Sequence, residues 1–542
     1  MRKILSFSFL FLVISCSKKS PENTLQVAIH QDISSLDPQI AEGQSAQEIL
    51  TLMYEPLLDY KLDNGFYELI PLLLEKVPEV SNNGLTYTFK LKKNINFSSG
   101  RNLDSDDVIY TILRLADPFL NSPNFWLIER QIAGLDEWRE TQKANGKSNY
   151  AQLPKGLKKI NAEEFQIQLS VQSPQILHAL AMSCLGIVPK DYATQDKIDW
   201  SKNGVGSGPY KVAAYSQKDA IDLELRADYW NKNYKGAKKI SAKFFTSDAV
   251  KISSLEQKAI DIAPLGKGSI KQFINIEKKT LLESHKDLQL FEKALLDVVY
   301  VGFNLEDSVI KKAGSNFRKA ISLSINKSEY NLLFNEGAGV LAQSPVPPGV
   351  AGYDVEFSNR YAQFDVEKAK EFLLKEGLKG DKLPKLTFES LDSPEALKFA
   401  EIFKDNLSKI GISMDISKNA SLSDLIEKIK QKKAQLWLLS WQADYPDAEN
   451  FLQLLYGPNK TPSPNFSNMD DKDFNKNFIK MRSLNDSPAR RKSIEELMNL
   501  FVRNTPWVPI IHRTEFYLAQ SRVKNFQAKQ FGSSPFKSVE IQ

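Results

Sequence analysis

Short stretches of alternating apolar and polar residues are spread along the whole chain, and capped helical segments lie between them. Leu25-Gln26-Val27-Ala28-Ile29, Tyr87-Thr88-Phe89-Lys90-Leu91, residues 165–171 and Ile221-Asp222-Leu223-Glu224-Leu225 each repeat with period two, the pattern of a strand buried on one face. Helices are punctuated just as openly. Asp365 stands as N-cap before Val366–Lys375 with Gly377 closing it, and Ser487-Pro488 opens a helix running through Met498 and Phe501. Turn-rich breaks fall at 204–209, 345–352 and 457–464. Strands and helices interleaved in this way predict a mixed α/β fold. Internal repeats and low-complexity linkers are absent, so the domains are expected to be joined by short hinges. The 542 residues suggest roughly three or four domains at ~150 residues each.

The N-terminus sets the compartment. Met1-Arg2-Lys3 is followed by an apolar run over residues 4–14 and then Ser15-Cys16. A basic start, a short apolar region and a small residue before the cut describe a signal peptide over 1–15. The run is shorter than the ~20 residues a membrane span needs. Val13-Ile14-Ser15-Cys16 resembles a bacterial lipobox, so Cys16 is the expected lipidation site; an ordinary signal peptide with an incidental Cys is the alternative. Residues 16–24 then form a polar tether, and the mature chain is expected in the cell envelope or periplasm, held at a membrane by lipid. Cys184 is left without a partner and reads as a small buried apolar residue.

Composition matters mainly for what it removes. Lys plus Arg number 71 against 66 Asp plus Glu, a net +5, or +3 once Arg2 and Lys3 leave with the signal peptide. That balance gives no electrostatic case for nucleic acid. The two cysteines make neither a disulfide framework nor a zinc site, and the four histidines are scattered. Gly204-Val205-Gly206-Ser207-Gly208-Pro209 lacks the third glycine of a dinucleotide fingerprint and the Gly-Lys-Ser/Thr of a Walker loop. Ser324-Ile325-Asn326-Lys327 matches Ser-x-x-Lys, but its companion motifs are missing and a solvated helix face is expected there. No catalytic, metal or cofactor site emerges, and the chain reads as a non-enzyme.

A series of separated motifs carries more. Ser35-Leu36-Asp37-Pro38, Ala41-Glu42-Gly43 and Tyr54-Glu55-Pro56-Leu57-Leu58 come first, then Gly84 to Leu91, Phe97-Ser98-Ser99-Gly100, Asp106-Asp107-Val108 and Leu115-Ala116-Asp117-Pro118. Gly206-Ser207-Gly208-Pro209-Tyr210-Lys211, Phe317-Arg318-Lys319-Ala320 and Trp441-Gln442-Ala443-Asp444-Tyr445-Pro446-Asp447 complete the series. In this order the chain resembles the family 5 solute-binding proteins, the extracytoplasmic receptors of peptide and nickel ABC importers.

The resemblance implies a periplasmic-binding-protein-like α/β fold of type II, two-lobed, with an extra inserted domain and a hinge between the lobes. Lobe I would comprise 25–52, 187–292 and 506–542, with the insert at 53–186 and lobe II at 293–505. The implied function is capture of an oligopeptide in the interlobe cleft by a monomeric binder that needs no cofactor. An ABC permease and its ATPase subunits would be the partners. Asp444 matches the carboxylate that meets a peptide ammonium; a loop acid capping a helix is the alternative. Trp441 and Tyr445 are implied as cleft walls, Glu42 and Gln44 as cleft-lining positions. Tyr300, Phe303 and Asn304 lie on the strand where the ligand backbone would pair. Some members meet the peptide carboxylate with a basic residue three positions before the Trp, but Leu438 stands there. Other solutes (nickel chelate, haem, an opine, an oligosaccharide) stay open, as does a Ser-dependent hydrolase using Ser324 and Lys327.

Overall fold

The computed structural model describes residues 23–30, 33, 35–194, 198–200 and 204–542. The expected signal peptide, Cys16 and most of the tether lie outside the described residues. Two mixed sheets organise the rest. The first has seven strands in the order Leu288–Ala294, Thr514–Gln520, Ile262–Pro264, Thr24–His30, Lys239–Phe245, Ala220–Leu225 and Tyr210–Ser216. The second has six, in the order Val340–Leu341, Trp507–His512, Asp297–Phe303, Leu436–Gln442, Leu386–Leu391 and Met414–Asn419. Thr24–His30 runs parallel to Lys239–Phe245, and Leu386–Leu391 parallel to both its neighbours; the remaining neighbours in the six-stranded sheet are antiparallel.

A third unit lies between the first strand and the rest of the seven-stranded sheet. Its sheet is ordered Glu79–Ser81, Thr86–Lys90, Glu164–Gln168 and Leu157–Lys159. Phe89 and Phe165 stack across it at 4.9 Å, as period-two burial requires. The strand expected over 165–171 stops at Gln168 because its partner begins opposite, at Thr86; beyond it Leu169 bridges Ile132 and donates to Leu85 C=O, and Ser170 donates to Gln131 C=O. Helix Ser105–Ala116 covers this unit and starts in a capping box, Asp104 accepting from the Asp106 and Asp107 amides while Asp107 accepts from Asp104. The other expected caps form as well. Asp365 accepts from the Lys368 amide at 2.9 Å, Gly377 follows with φ 70°, and Ser487 accepts from Arg490 at 3.2 Å.

Several of the dispersed motifs turn out to be joints. Asp37 takes both guanidinium nitrogens of Arg114, at 2.9 and 2.6 Å, tying the loop after the first strand to helix Ser105–Ala116. Gly208 donates to the Met53 carbonyl at 2.8 Å, and a Cβ on Gly206 would run into that carbonyl. Only glycine permits so close an approach. Arg226 then collects the carbonyls of Gly206, Gly208, Asn96 and Phe97. Cys184 is buried without a disulfide, and burial pushes its thiol up to about 12.

The chain passes between the two large sheets at Leu295–Leu296 and returns at Arg513. The return falls later than the expected 506, because Trp507–His512 pairs with Asp297–Phe303 inside the six-stranded sheet. The two crossings lie side by side: Leu295 N–H donates to Arg513 C=O at 2.9 Å, and Arg513 N–H to Asp297 Oδ1 at 2.9 Å. No helix among the described residues is long and apolar enough to cross a membrane.

Replacing Arg114 by Leu leaves the 1% exposed Asp37 as an unpaired buried carboxylate. Urea unfolding is expected to show a loss of about 3 kcal/mol. A loss below about 1 kcal/mol would show that this pair is not a joint.

Candidate functional site

The strand Leu436–Gln442 ends in a turn whose first amide, Ala443 N–H, donates to the Leu296 carbonyl at 2.7 Å. Asn450 knits the turn. Its Oδ1 accepts from Trp441 Nε1 at 2.9 Å and from the Asp444 amide at 3.2 Å, and its Nδ2 donates to Asp444 Oδ2 at 3.0 Å. Asp444 therefore has one neutral donor on its carboxylate and no cationic partner among the described residues. Burial pushes its carboxyl above the usual carboxylate range, and the Asn450 hydrogen bond offsets that only in part. It caps no helix: the amide of Glu449 is taken by Asp447 instead, at 2.7 Å.

Beside this lone acid is a fully compensated one. Asp447 Oδ1 accepts from Arg490 at 2.6 Å, both side chains being under 10% exposed. His178, from the inserted unit, stands 3.9 Å from its other oxygen and meets Tyr60 Oη at 2.8 Å through Nδ1. The His178 ring also stacks on Tyr445 at 5.2 Å, and Tyr445 Oη donates to Glu449. Burial alone raises the Asp447 pKa, but Arg490 and His178 outweigh it, so its carboxyl sits below the usual range. Burial holds His178 below its ordinary value, against the pull of Asp447. This network joins the inserted unit to the six-stranded one.

With the two sheets, their double crossing and this turn in place, the wider comparison becomes decisive. The family described as bacterial extracellular solute-binding proteins, family 5 Middle, matches residues 68–463, more than half of the chain. The chain belongs to this family. As a family 5 protein it binds a solute and is not an enzyme. It is 25% identical to the dipeptide-binding protein of Escherichia coli, over 98% of this chain and 94% of that protein. It is 24% identical to heme-binding protein A of Haemophilus influenzae, over 97% of this chain and 93% of that one. Among solved structures, the unliganded open form of the periplasmic murein tripeptide binding protein MppA is similar with a TM-score of 0.81 at 21% identity, covering 96% of this chain and 98% of that one. The fold is the α/β fold of periplasmic binding proteins, two-lobed with an inserted unit.

The family 5 resemblance placed its residues unevenly. Asp444, Trp441 and Tyr445 come together on the turn. Gln44 opens helix Gln44–Met53, exposed, donating to Glu48 at 2.9 Å, and Glu42 is exposed just before it. Tyr300, Phe303 and Asn304 need correction. Their strand is paired on both edges, by Leu436–Gln442 and by Trp507–His512, so it offers no free backbone to a ligand. Tyr300 packs on Trp507 at 4.2 Å, while Phe303, three residues on, faces the opposite core with Phe317 and Phe388. Asn304 is 2% exposed and donates to the Lys432 and Ala434 carbonyls. Ser324 and Lys327 are corrected too: both are buried rather than on a solvated face. Ser324 Oγ donates to Ile321 C=O and Lys327 Nζ to Ala342 C=O, and burial pulls the Lys327 ammonium down to about 7. Asn450 and His178 were not singled out in sequence, since nothing in their spacing marks them. No group of three or more His, Cys, Asp or Glu among the described residues could hold a metal.

A carboxyl held below its ordinary pKa stabilises the fold above the unfolded value of ~3.9, and that stabilisation is lost as pH falls through the folded value. Arg490→Leu inverts this for Asp447, because the acid then keeps only the Glu449 amide and His178, an imidazole whose own pKa burial lowers. The variant is expected to lose about 3 kcal/mol at pH 7 and less than half of that at pH 4, where the acid is protonated. Equal losses at the two pH values, read by urea unfolding, would mean that Arg490 acts by packing alone.

Proposed function

We propose that this family 5 protein is the extracytoplasmic receptor of an ABC importer. It captures oligopeptides between its lobes by hinge closure and delivers them to a permease whose ATPase subunits drive uptake. In this reading 25–52, 187–292 and the C-terminal residues form the first lobe, 53–186 the insert and 293–505 most of the second. Cys16 carries the lipid that tethers the receptor to a membrane, and the chain works as a monomer.

One observation carries the peptide assignment: Asp444 is a desolvated carboxylate without a cation among the described residues, beside Trp441 and Tyr445 on a turn anchored to the lobe crossing. An uncompensated buried charge is costly, so such a site favours a ligand bringing an ammonium. The aromatic neighbours accept varied side chains through apolar contact. Haem, which one relative's name records, suits the site less well. Half-buried His178 and buried His512 are engaged by Tyr60 and by the Asp297 carbonyl.

Asp444→Asn is expected to weaken binding of free-amine peptides by about 10- to 100-fold, the worth of one charge-assisted contact. N-acetylated peptides should change by less than about 2-fold. Isothermal titration with both peptide sets decides it, and an equal loss for both would take Asp444 out of the ammonium role. For the anchor, Cys16→Ser is expected to move the protein from the membrane pellet to the soluble fraction; a variant that stays in the pellet would overturn the lipid assignment.

A further inference from the structure

A cavity of about 30 Å³ lies between helix Gln44–Met53 and the C-terminal segment, lined by Gln44, Glu48, Thr51, Tyr60, Lys529 and Ser534 among others. Its walls are held together where Ser534 N–H donates to Thr51 Oγ1 at 2.9 Å. Lys529 Nζ, among the described residues, has neither a hydrogen bond nor an ion-pair partner. Lys529 is half-buried, whereas cations buried more fully are answered. Lys327 donates to Ala342 C=O at 3.0 Å, Arg318 Nε to Thr505 C=O at 2.9 Å, Lys293 meets Glu515 at 2.7 Å, and Lys537 meets Glu55 at 2.8 Å. Burial lowers the Lys529 pKa, with Asp59 opposing and Lys537 reinforcing that shift. Glu48, also on the wall, is occupied by Gln44 and lies in the field of Lys293.

The cavity is bound to the same crossing residue as the Asp444 turn. Leu296 C=O accepts from Ala443, next to Asp444, and Leu296 N–H donates to Gln530 Oε1, next to Lys529, both at 2.7 Å. A lone anion and a lone cation thus flank one point of the hinge, Asp444 on the turn after Leu436–Gln442 and Lys529 in the C-terminal segment. We propose that Lys529 is the anion-binding group of the ligand site and takes a ligand carboxylate while Asp444 takes the ammonium. This deepens the peptide reading and rests on it. It also supplies a basic group where Leu438 offers none.

The carboxylate is either the peptide C-terminus or an acidic side chain, and three probes separate them: tetra-alanine, its C-terminal amide, and an amidated tetrapeptide with one Glu. By calorimetry the wild type is expected to bind at least one carboxylate-bearing probe about 10-fold tighter than the neutral amide. In Lys529→Met that preference should fall below about 2-fold with the neutral amide unaffected, and Lys529→Arg should keep it. A preference retained by Lys529→Met, or absent from the wild type, overturns the proposal. If no probe binds at all, the peptide reading fails and the cavity is tested on its own. Potassium acetate, against chloride at equal ionic strength, should then raise the melting temperature of wild type but not of Lys529→Met. Equal shifts in the two proteins overturn the anion site.

Discussion

The pairing of the two lobe crossings is the constraint on which the rest of the molecule depends. Asp297 accepts the Arg513 amide and the Arg513 guanidinium, while its own carbonyl accepts from His512. Leu295 N–H adds a bond to Arg513 C=O. The crossings are short, element-terminal segments, the kind of position at which hinges absorb a change of backbone angle. Burial raises the Asp297 pKa, and Arg513 counters most directly. The crossing is therefore held by an acid that needs its arginine, and every side chain placed from Leu296 inherits that fixed position.

Much of this architecture was legible in the sequence. Period-two alternation found the strands around Phe89 and Leu223, because each has one face on a core. The strand around Val27 is instead central and buried on both faces, with Leu25, Val27 and Ile29 in one core and Ala28 in another. Helix caps were legible for a different reason: Asp365 and Ser487 act on amides three residues away, so the interaction is local in sequence. Tyr300 and Phe303 show where such reading stops. Three residues apart on a strand they face opposite sides, and the strand's flanking partners, 436–442 and 507–512, come from far along the chain. A strand's position inside a sheet or at its edge is set by those distant partners. No property of residues 297–303 reveals it.

The same distinction governs the charged groups. Ser324 ends, and Lys327 follows, a helix, Ser308–Ser324, whose later turns are buried on every side, against Phe388 of the sheet and Leu373 of a neighbouring helix. A lysine there reads as solvated until the Ala342 carbonyl is seen above it. Asn450 and Asp444 meet because the intervening residues turn back on themselves. Lys529 faces helix Gln44–Met53 because the C-terminus folds over the beginning of the chain, with Lys537 clasping Glu55. Motif matching reached Asp444 because its neighbours in sequence are also its neighbours in space. It did not reach Lys529, whose setting is assembled from both ends of the chain.

Charges left unmatched in this way bear on how ligand and hinge are coupled. Asp444 and Lys529 each carry a desolvation cost that the protein offsets only in part, whereas the cost of burying Asp447 is outweighed by Arg490 and His178. A ligand presenting an ammonium to one and a carboxylate to the other would interact with both only when the hinge holds them at the matching separation. Its affinity would then differ between hinge positions, and a ligand shifts a conformational equilibrium only by such a difference. A neutral solute of the same size would gain apolar contact with Trp441 in either position and would move the hinge little. The two lone charges, rather than the area of the cleft, would thus select which solutes close the receptor.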